Sequence, residues 1–117
     1  MNATRMTSTF ITAHSRSESE REWLSGVFKI MVRVARRNRQ FSMDSIWEHL
    51  DRAYLRGSIV NDGKVDHRIL GPMLRHMARD GLISSSGYYV KSSRQGGGSR
   101  PITVWTSHVY ERVAVSA

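Results

Sequence analysis

The chain has 117 residues, which is enough for one domain built around one modest hydrophobic core. Its 18 Lys and Arg residues outnumber its 10 Asp and Glu residues, so the net charge is +8 and a polyanionic partner such as nucleic acid is favoured. It has no cysteine, which excludes disulfides, thiolate zinc sites and a cysteine nucleophile, and we expect a cytoplasmic protein.

The charge is unevenly distributed. Residues 1–40 carry 8 basic and 3 acidic side chains, residues 41–80 carry 6 of each, and residues 81–117 carry 4 and 1. The middle of the chain is therefore predicted to be a balanced scaffold. The excess positive charge falls on a first helix and on a hairpin near the C-terminus.

The N-terminal stretch MNATRMTSTFITAHS lacks the continuous apolar core of a signal peptide, and no apolar run in the chain approaches the length of a membrane-spanning helix. We therefore expect no membrane association. The Thr, Ser and Ala content of this N-terminal stretch is similar to that of transit peptides. Residues 1–18 have no helical or strand periodicity, however, and are interpreted as a flexible N-terminal arm.

A first helix is predicted from about Glu20 to Arg39, with Ser17 or Ser19 as its N-cap. Its core stripe consists of Trp23, Val27, Ile30, Met31 and Val34. A second apolar strip consists of Leu24, Phe28, Val32 and Ala35, and together the two are wider than one core-facing stripe requires. Either the helix is clamped between the domain and the N-terminal arm, or Leu24, Phe28 and Val32 form a homodimer contact.

A second helix is predicted to begin after Ser42, because the apolar residues of SMDSIWEHLDRAY follow helical spacing and place Trp47 in the core. The connection that follows, LRGSIVNDGKV, contains the turn signal Asn61-Asp62-Gly63. Residues Ser58 to Val60 could add a short strand. This connection is longer than the tight turn of a strict helix-turn-helix.

A third helix is predicted in DHRILGPMLRHMARDG, with Asp66 as its N-cap and Gly81 at its C-terminal end. Its core face contains Leu70, Leu74, Met77 and Ala78, and its opposite, basic face contains Arg68, Pro72, Arg75 and Arg79. Gly71 is expected to permit a close helix approach, and Pro72 is expected to bend the helix near its start.

Two strands, Leu82–Val90 and Arg100–Ser107, flank the basic loop KSSRQGGGS, and no acidic residue occurs from Gly81 to Tyr110. The tail after Ser107 is expected to form a strand, a short helix or a frayed end. This order of elements predicts an α+β winged helix with three helices and a wing of two or three strands. The domain is assigned to residues 19–107, preceded by the arm (1–18) and followed by the tail (108–117).

The segments FSMDSIWEHL, DHRILGPMLRHMARDGLI and GYYVKSSRQGGGSRPITVWTS resemble the small winged-helix DNA-binding proteins common in bacteriophage genomes, particularly those of actinobacterial hosts. The similarity covers roughly Trp23 to Ser107 and includes Arg100, Pro101, Val104 and Trp105 at the end of the wing. It implies a phage or bacterial regulator of transcription or replication that acts on the nucleoid. It also implies contact with double-stranded DNA through Arg68, Arg75 and Arg79.

The remaining DNA-binding residues are predicted from their places in the chain, next to the basic face of the third helix or on the glycine-rich loop. His76 lies beside the basic face of the third helix, where it could approach a phosphate. Lys91, Arg94 and Arg100 lie on the glycine-rich loop, which suits phosphate or minor-groove contact better than fixed reading of bases.

Other chemistry is not expected. The histidines are scattered without a metal-ligand spacing, and RQGGGS lacks the Lys-Ser/Thr ending of a phosphate-binding loop. No pair of acids suggests acid–base catalysis, so we predict neither an enzyme nor a cofactor or metal. The alternative function is a non-enzymatic adaptor, in which the wing and the first helix bind a host or replication protein.

Overall fold

The computed structural model describes residues 10–60, 65–94 and 100–111. Within these residues the fold is α+β, as predicted from the sequence: helices come first along the chain and an antiparallel sheet completes the domain. The helices are α1 (Glu18–Arg37), α2 (Met43–Arg56) and α3 (Leu70–Arg79), and α3 is preceded directly by a 3-10 turn, His67–Ile69. The strands are β1 (Gln40–Phe41), β2 (Ile83–Lys91) and β3 (Pro101–Ser107).

The sheet has the order β1-β3-β2, with both pairs antiparallel. Its third strand is not the predicted segment Ser58–Val60 but Gln40–Phe41, which pairs with Thr106 and Trp105 of β3. This pairing places Phe41, which is 4% exposed, in the core. No strand forms at Ser58–Val60.

Helix α1 begins and ends two residues earlier than predicted, and its N-cap is Ser17, whose hydroxyl accepts a hydrogen bond from the Glu20 amide at 3.2 Å. At its other end, the Glu111 amide donates to the Arg36 carbonyl. The tail is thereby joined to α1, although residues 108–111 adopt no regular structure and residues 112–117 lie outside the described part of the chain.

The second apolar strip of α1 is covered within a single chain. Leu24 and Phe28 are 3% and 4% exposed, and Val32 is partly buried against the same core cluster. The prediction that these three residues form a homodimer surface is therefore corrected, because Leu24 and Phe28 are not available at the surface. Of the predicted arm, residues 1–9 lie outside the described residues, whereas residues 10–14 are helical and bury Phe10 and Ile11 in that cluster.

Helix α3 buries Leu70, Met73, Leu74 and Met77, so the predicted core face is right and also includes Met73. Asp66 caps the 3-10 turn by accepting from the Arg68 amide at 3.0 Å. Pro72 lies in the first turn of α3, where a backbone N–H would have no helical partner, so its missing donor costs little.

Two glycines mark this region. Gly71 does not mediate a close helix approach as predicted, because a Cβ atom there would meet only the Arg75 guanidinium at 3.8 Å. Gly81 has φ +81°, and the chain closes the C-terminus of α3 through hydrogen bonds from Gly81 N to the Ala78 carbonyl and from Leu82 N to the Met77 carbonyl. This places Ile83 in the core at the start of β2. The predicted turn at residues 61–63 and the glycines at 96–98 lie outside the described residues.

No helix in the described ranges combines the length and the apolar character that crossing a membrane requires.

The buried position of Phe28 gives a first prediction. Phe28→Glu should abolish cooperative unfolding, because it places a carboxylate in the core, and Phe28→Ala should cost on the order of 3–5 kcal/mol. Urea unfolding followed by circular dichroism measures both. Val32→Ala is the control and should cost clearly less, since Val32 is only partly buried. A Phe28→Glu protein that folds as a monomer while the wild type sediments as a dimer would contradict this packing.

Candidate nucleic-acid interface

The exposed face of α3 presents two arginines. Arg75 and Arg79 are one helical turn apart and both are exposed. Neither makes a hydrogen bond or an ion pair with any residue that the structure describes. The two guanidinium groups therefore place adjacent, unneutralised positive charges on one side of the helix.

Arg68, predicted to share this face, lies in the 3-10 turn and is already paired. Its Nε lies 3.0 and 3.2 Å from the two carboxylate oxygens of Asp66, and its Nη2 lies 3.0 Å from Oδ2. The hydrogen bonds from Arg68 lower the pKa of Asp66, and the carboxylate in turn raises the pKa of Arg68. Because the Arg68 side chain is 91% exposed, water screens this pair, but Asp66 still reduces the net positive charge at the start of α3.

His76 faces the protein interior more than the solvent. Its side chain is 19% exposed, its Nε2 lies 2.9 Å from Asp80 Oδ2, and its ring is 5.0 Å from the ring of Phe10. This contact with the Asp80 carboxylate is a salt bridge when His76 is protonated. His76 therefore joins α3 to the N-terminal helical segment and does not extend the exposed basic face.

The hairpin formed by β2 and β3 contributes two more exposed cations. Lys91 ends β2 and Arg100 directly precedes β3, and neither side chain makes a hydrogen bond or an ion pair with a described residue. The Ser92 amide donates to the Arg100 carbonyl at 2.9 Å, which holds the two strands together next to both cations.

Arg94 occupies a different position from the one predicted. Its Nη1 lies 2.9 Å from Asp51 Oδ2 on α2, and its guanidinium carbon lies 3.8 Å from the centre of the Trp47 ring. The side chain is 35% exposed. A planar guanidinium held by a carboxylate and an indole ring anchors the hairpin to α2, so Arg94 is revised from a phosphate contact to a positioning residue.

Asp44, in the first turn of α2, completes this anchor. Its carboxylate accepts from the Ser92 hydroxyl at 2.8 Å, from the Ser93 amide at 2.8 Å and from the Ser93 hydroxyl at 3.3 Å. In the sequence Asp44 is recognisable only as a favourable first-turn acid, and nothing local in the chain indicates its partners in the hairpin.

An aromatic cluster joins the helices beneath this anchor. Tyr54 Oη lies 2.9 Å from Trp23 Nε1 and 2.9 Å from His67 Nε2, and the His67 ring lies 4.9 Å from the Trp47 ring. An indole N–H can only donate, so the Tyr54 oxygen accepts from Trp23 and its own hydrogen can be donated to His67. Trp23 and Trp47 were both predicted to lie in the core, where Trp23 is buried and Trp47 is only partly buried, and no role was predicted for His67 or Tyr54.

Burial in this cluster lowers the pKa of His67, and the neighbouring Arg94 lowers it further, although the acids Asp66 and Asp51 oppose both effects. Burial also raises the pKa of Tyr54. Both directions favour the neutral forms, in which the Tyr54 hydroxyl can donate to the His67 ring.

A further, mainly basic surface lies between α1, where the sequence predicted part of the charge excess, and the end of α2. An open cleft of about 570 Å³ is lined there by Ile30, Ile59, one acid (Glu22) and four cations: Arg21, Lys29, Arg33 and Arg56. No residue of α3 or of the hairpin lines this cleft.

Within the described part of the chain, no group of His, Asp and Glu side chains is arranged to hold a metal ion. Comparison of the chain with protein-family models, with curated protein sequences and with solved structures finds no match in any of the three.

The anchor gives a second prediction. Arg94→Ala should destabilise the protein by about 1 kcal/mol, because it removes a partly exposed ion pair and a cation–π contact. A double-mutant cycle with Asp51→Ala, measured by urea unfolding, should show a coupling of a few tenths of a kcal/mol or more. Arg52→Ala is the matched control, since Arg52 pairs with Glu48 on the same exposed helix surface and with no other described residue. An Arg94→Ala protein as stable as the wild type would contradict the role of Arg94 in holding the hairpin to α2.

The lowered pKa of His67 gives a third prediction, for the dependence of stability on pH. The unfolded chain binds a proton at His67 more readily than the folded chain, so stability should fall as the pH drops below about 6.5, the ordinary pKa of histidine. The effect should stay well below the limit of about 1.4 kcal/mol per pH unit for one proton, because the ring is only partly buried. Urea unfolding at pH 7.5 and 5.5 should show a steeper loss for the wild type than for His67→Gln. Equal losses would contradict the assignment.

Proposed function

We propose that the chain is a winged-helix protein that binds double-stranded DNA, with α3 in the major groove and the β2–β3 hairpin as the wing. The observation that carries this proposal is the pair Arg75 and Arg79, exposed and without partners among the described residues. Arginine is the side chain best matched to the major-groove edge of guanine.

Three further features support the proposal. The order of the elements is compatible with a winged-helix layout. The hairpin presents Lys91 and Arg100, and no acidic residue occurs from Gly81 to Tyr110. The net charge of +8 favours a polyanionic partner over long distances. By its resemblance to phage winged-helix proteins, the chain is proposed to regulate transcription or replication without catalysing a reaction, in the cytoplasm and on the nucleoid.

The proposed interface contains fewer residues than the sequence alone predicted. Arg75 and Arg79 are its groove-reading residues, and Lys91 and Arg100 are its phosphate or minor-groove contacts. Arg68 also contacts DNA in this proposal, once a DNA phosphate replaces the Asp66 carboxylate as the partner of its guanidinium. His76 and Arg94 are left out, because both already make contacts that join parts of the fold.

The alternative function is a non-enzymatic adaptor that binds a host or replication protein, and one observation favours it. Leu55 and Val60, on either side of the end of α2, are 89% and 73% exposed, and apolar side chains this exposed can mark a protein contact. An adaptor would show little affinity for DNA at any salt concentration.

The test is duplex binding measured by fluorescence anisotropy over a range of salt concentrations, after selection of a preferred site from random duplexes. If the protein neutralises about five phosphates, log K should fall against log salt with a slope of about −4 to −5. Arg75→Ala should weaken the preferred site by about 1–3 kcal/mol and random DNA by less, whereas Lys91→Ala should weaken both alike and make the slope shallower by about one unit.

The control is Lys29→Ala, which removes the same charge from the exposed surface of α1 and should change the preference for the selected site little. No binding at low salt, or a slope near zero, would reject DNA binding and favour the adaptor. Loss of site preference in Lys91→Ala but not in Arg75→Ala would assign base reading to the wing.

A further inference from the structure

Two neighbouring tyrosines of the wing are the most exposed aromatic side chains that the structure describes. Tyr88 is 70% and Tyr89 is 67% exposed, and Val90 beside them is 44% exposed. They lie on β2, which pairs only with β3 and so forms an edge of the sheet. Adjacent exposed apolar side chains on an edge strand favour aggregation unless they have a partner.

A bulge determines how these tyrosines are presented. Ser85 is opposite Trp105 and Tyr89 is opposite Thr103, so three residues of β2 (86–88) are opposite one residue of β3. Gly87 adopts φ +86°, and the Ser85 and Ser86 hydroxyls accept from the Gly87 and Tyr88 amides at 3.3 and 3.1 Å. Such bulges redirect side chains, and local hydrogen bonds hold this one in place.

The charge around the tyrosines favours a polyanionic partner. Lys91 follows Tyr89 at the spacing that places both on one side of the strand, and Arg100 lies across the end of the hairpin. No acid occurs in this part of the chain. Exposed aromatic rings next to a lysine and an arginine match a ligand that offers flat apolar faces together with phosphates.

Intact duplex DNA does not offer such faces, because each base is covered by its neighbours and only base edges line the grooves. Bases that are unpaired expose their faces and stack readily on aromatic side chains. A ligand that contains both a duplex for α3 and unpaired bases for the tyrosines would therefore satisfy both surfaces.

We propose that the exposed rings of Tyr88 and Tyr89, at this edge of the sheet, stack on unpaired bases, so that the protein binds preferentially where duplex DNA adjoins a single strand. This inference rests on the proposed DNA-binding function. It names a ligand class that duplex binding alone does not require.

The test compares three ligands by fluorescence anisotropy: a blunt duplex, the same duplex with a single-stranded overhang, and the same overhang built from abasic sugar-phosphate units. The abasic ligand carries the same added charge without bases. The wild type should bind the overhang ligand about ten-fold more tightly than the abasic one, in line with the usual effect of stacking one base on an aromatic ring.

The double variant Tyr88→Ala with Tyr89→Ala should lose this preference and keep its affinity for the blunt duplex. The double phenylalanine variant should retain the preference, because it preserves the rings. Leu55→Ala, which removes an exposed apolar side chain outside the wing, is the control and should behave as the wild type.

Equal wild-type affinity for the overhang and abasic ligands would overturn the inference and leave the duplex proposal intact. A preference for the overhang that survives in the double alanine variant would also overturn it. So would an equal loss of affinity by that variant for the blunt duplex and for the overhang ligand, which would indicate that the tyrosines contact a groove. Failure to bind any of the three ligands at low salt would overturn the inference together with the proposed function and assign the tyrosines to a protein contact.

Discussion

The position of the end of the hairpin relative to α2 depends on the Asp44 carboxylate. It accepts a charge-assisted hydrogen bond from a backbone amide of the hairpin and two more from serine hydroxyls. Because Asp44 lies in the first turn of α2, the helix dipole also stabilises its negative charge. Strand pairing alone holds β2 to β3 but does not fix the end of the hairpin against the helices. Asp44 and the neighbouring Asp51–Arg94 pair supply that constraint, and the positions of Lys91 and Arg100 depend on it.

The parts of the fold that follow from local chemistry could be predicted from the sequence. Ser17, Asp66 and Gly81 have the predicted capping or terminating roles, and the apolar spacing of each helix gives its buried face. Strand β1 could not be predicted, because a two-residue strand has no periodicity and exists only through its pairing with β3. The 3-10 turn before α3 could not be predicted from the proline alone, and it places Pro72 in the first turn of α3, where a backbone N–H would have no helical partner.

The candidate site was only partly predictable for a related reason. Local sequence shows which residues carry charge but not which charges are neutralised across the fold. Arg94 and Asp51 are separated by 43 residues, and Asp44 and Ser92 by 48, so no local pattern links them. Two acidic residues of α2 pair with arginines, Glu48 with Arg52 on the same helix and Asp51 with Arg94 of the hairpin. The glycine-rich loop suggested that Arg94 was free to contact phosphate, whereas its guanidinium lies on Trp47.

Trp47 connects the two elements that are proposed to contact DNA. The Arg94 guanidinium carbon lies 3.8 Å from the centre of the Trp47 ring. The centre of the His67 ring, in the turn that leads into α3, lies 4.9 Å from it. His67 is in turn hydrogen-bonded to Tyr54, which is fixed by Trp23 of α1. The hairpin and the start of α3 therefore both contact side chains of α2, and these packed rings act together with the short turn through Gly81 and Leu82 that joins the end of α3 to β2. This explains why a chain with a modest core places aromatic residues, a histidine and an arginine at this junction: planar groups in mutual contact leave little freedom for one element to move without the other.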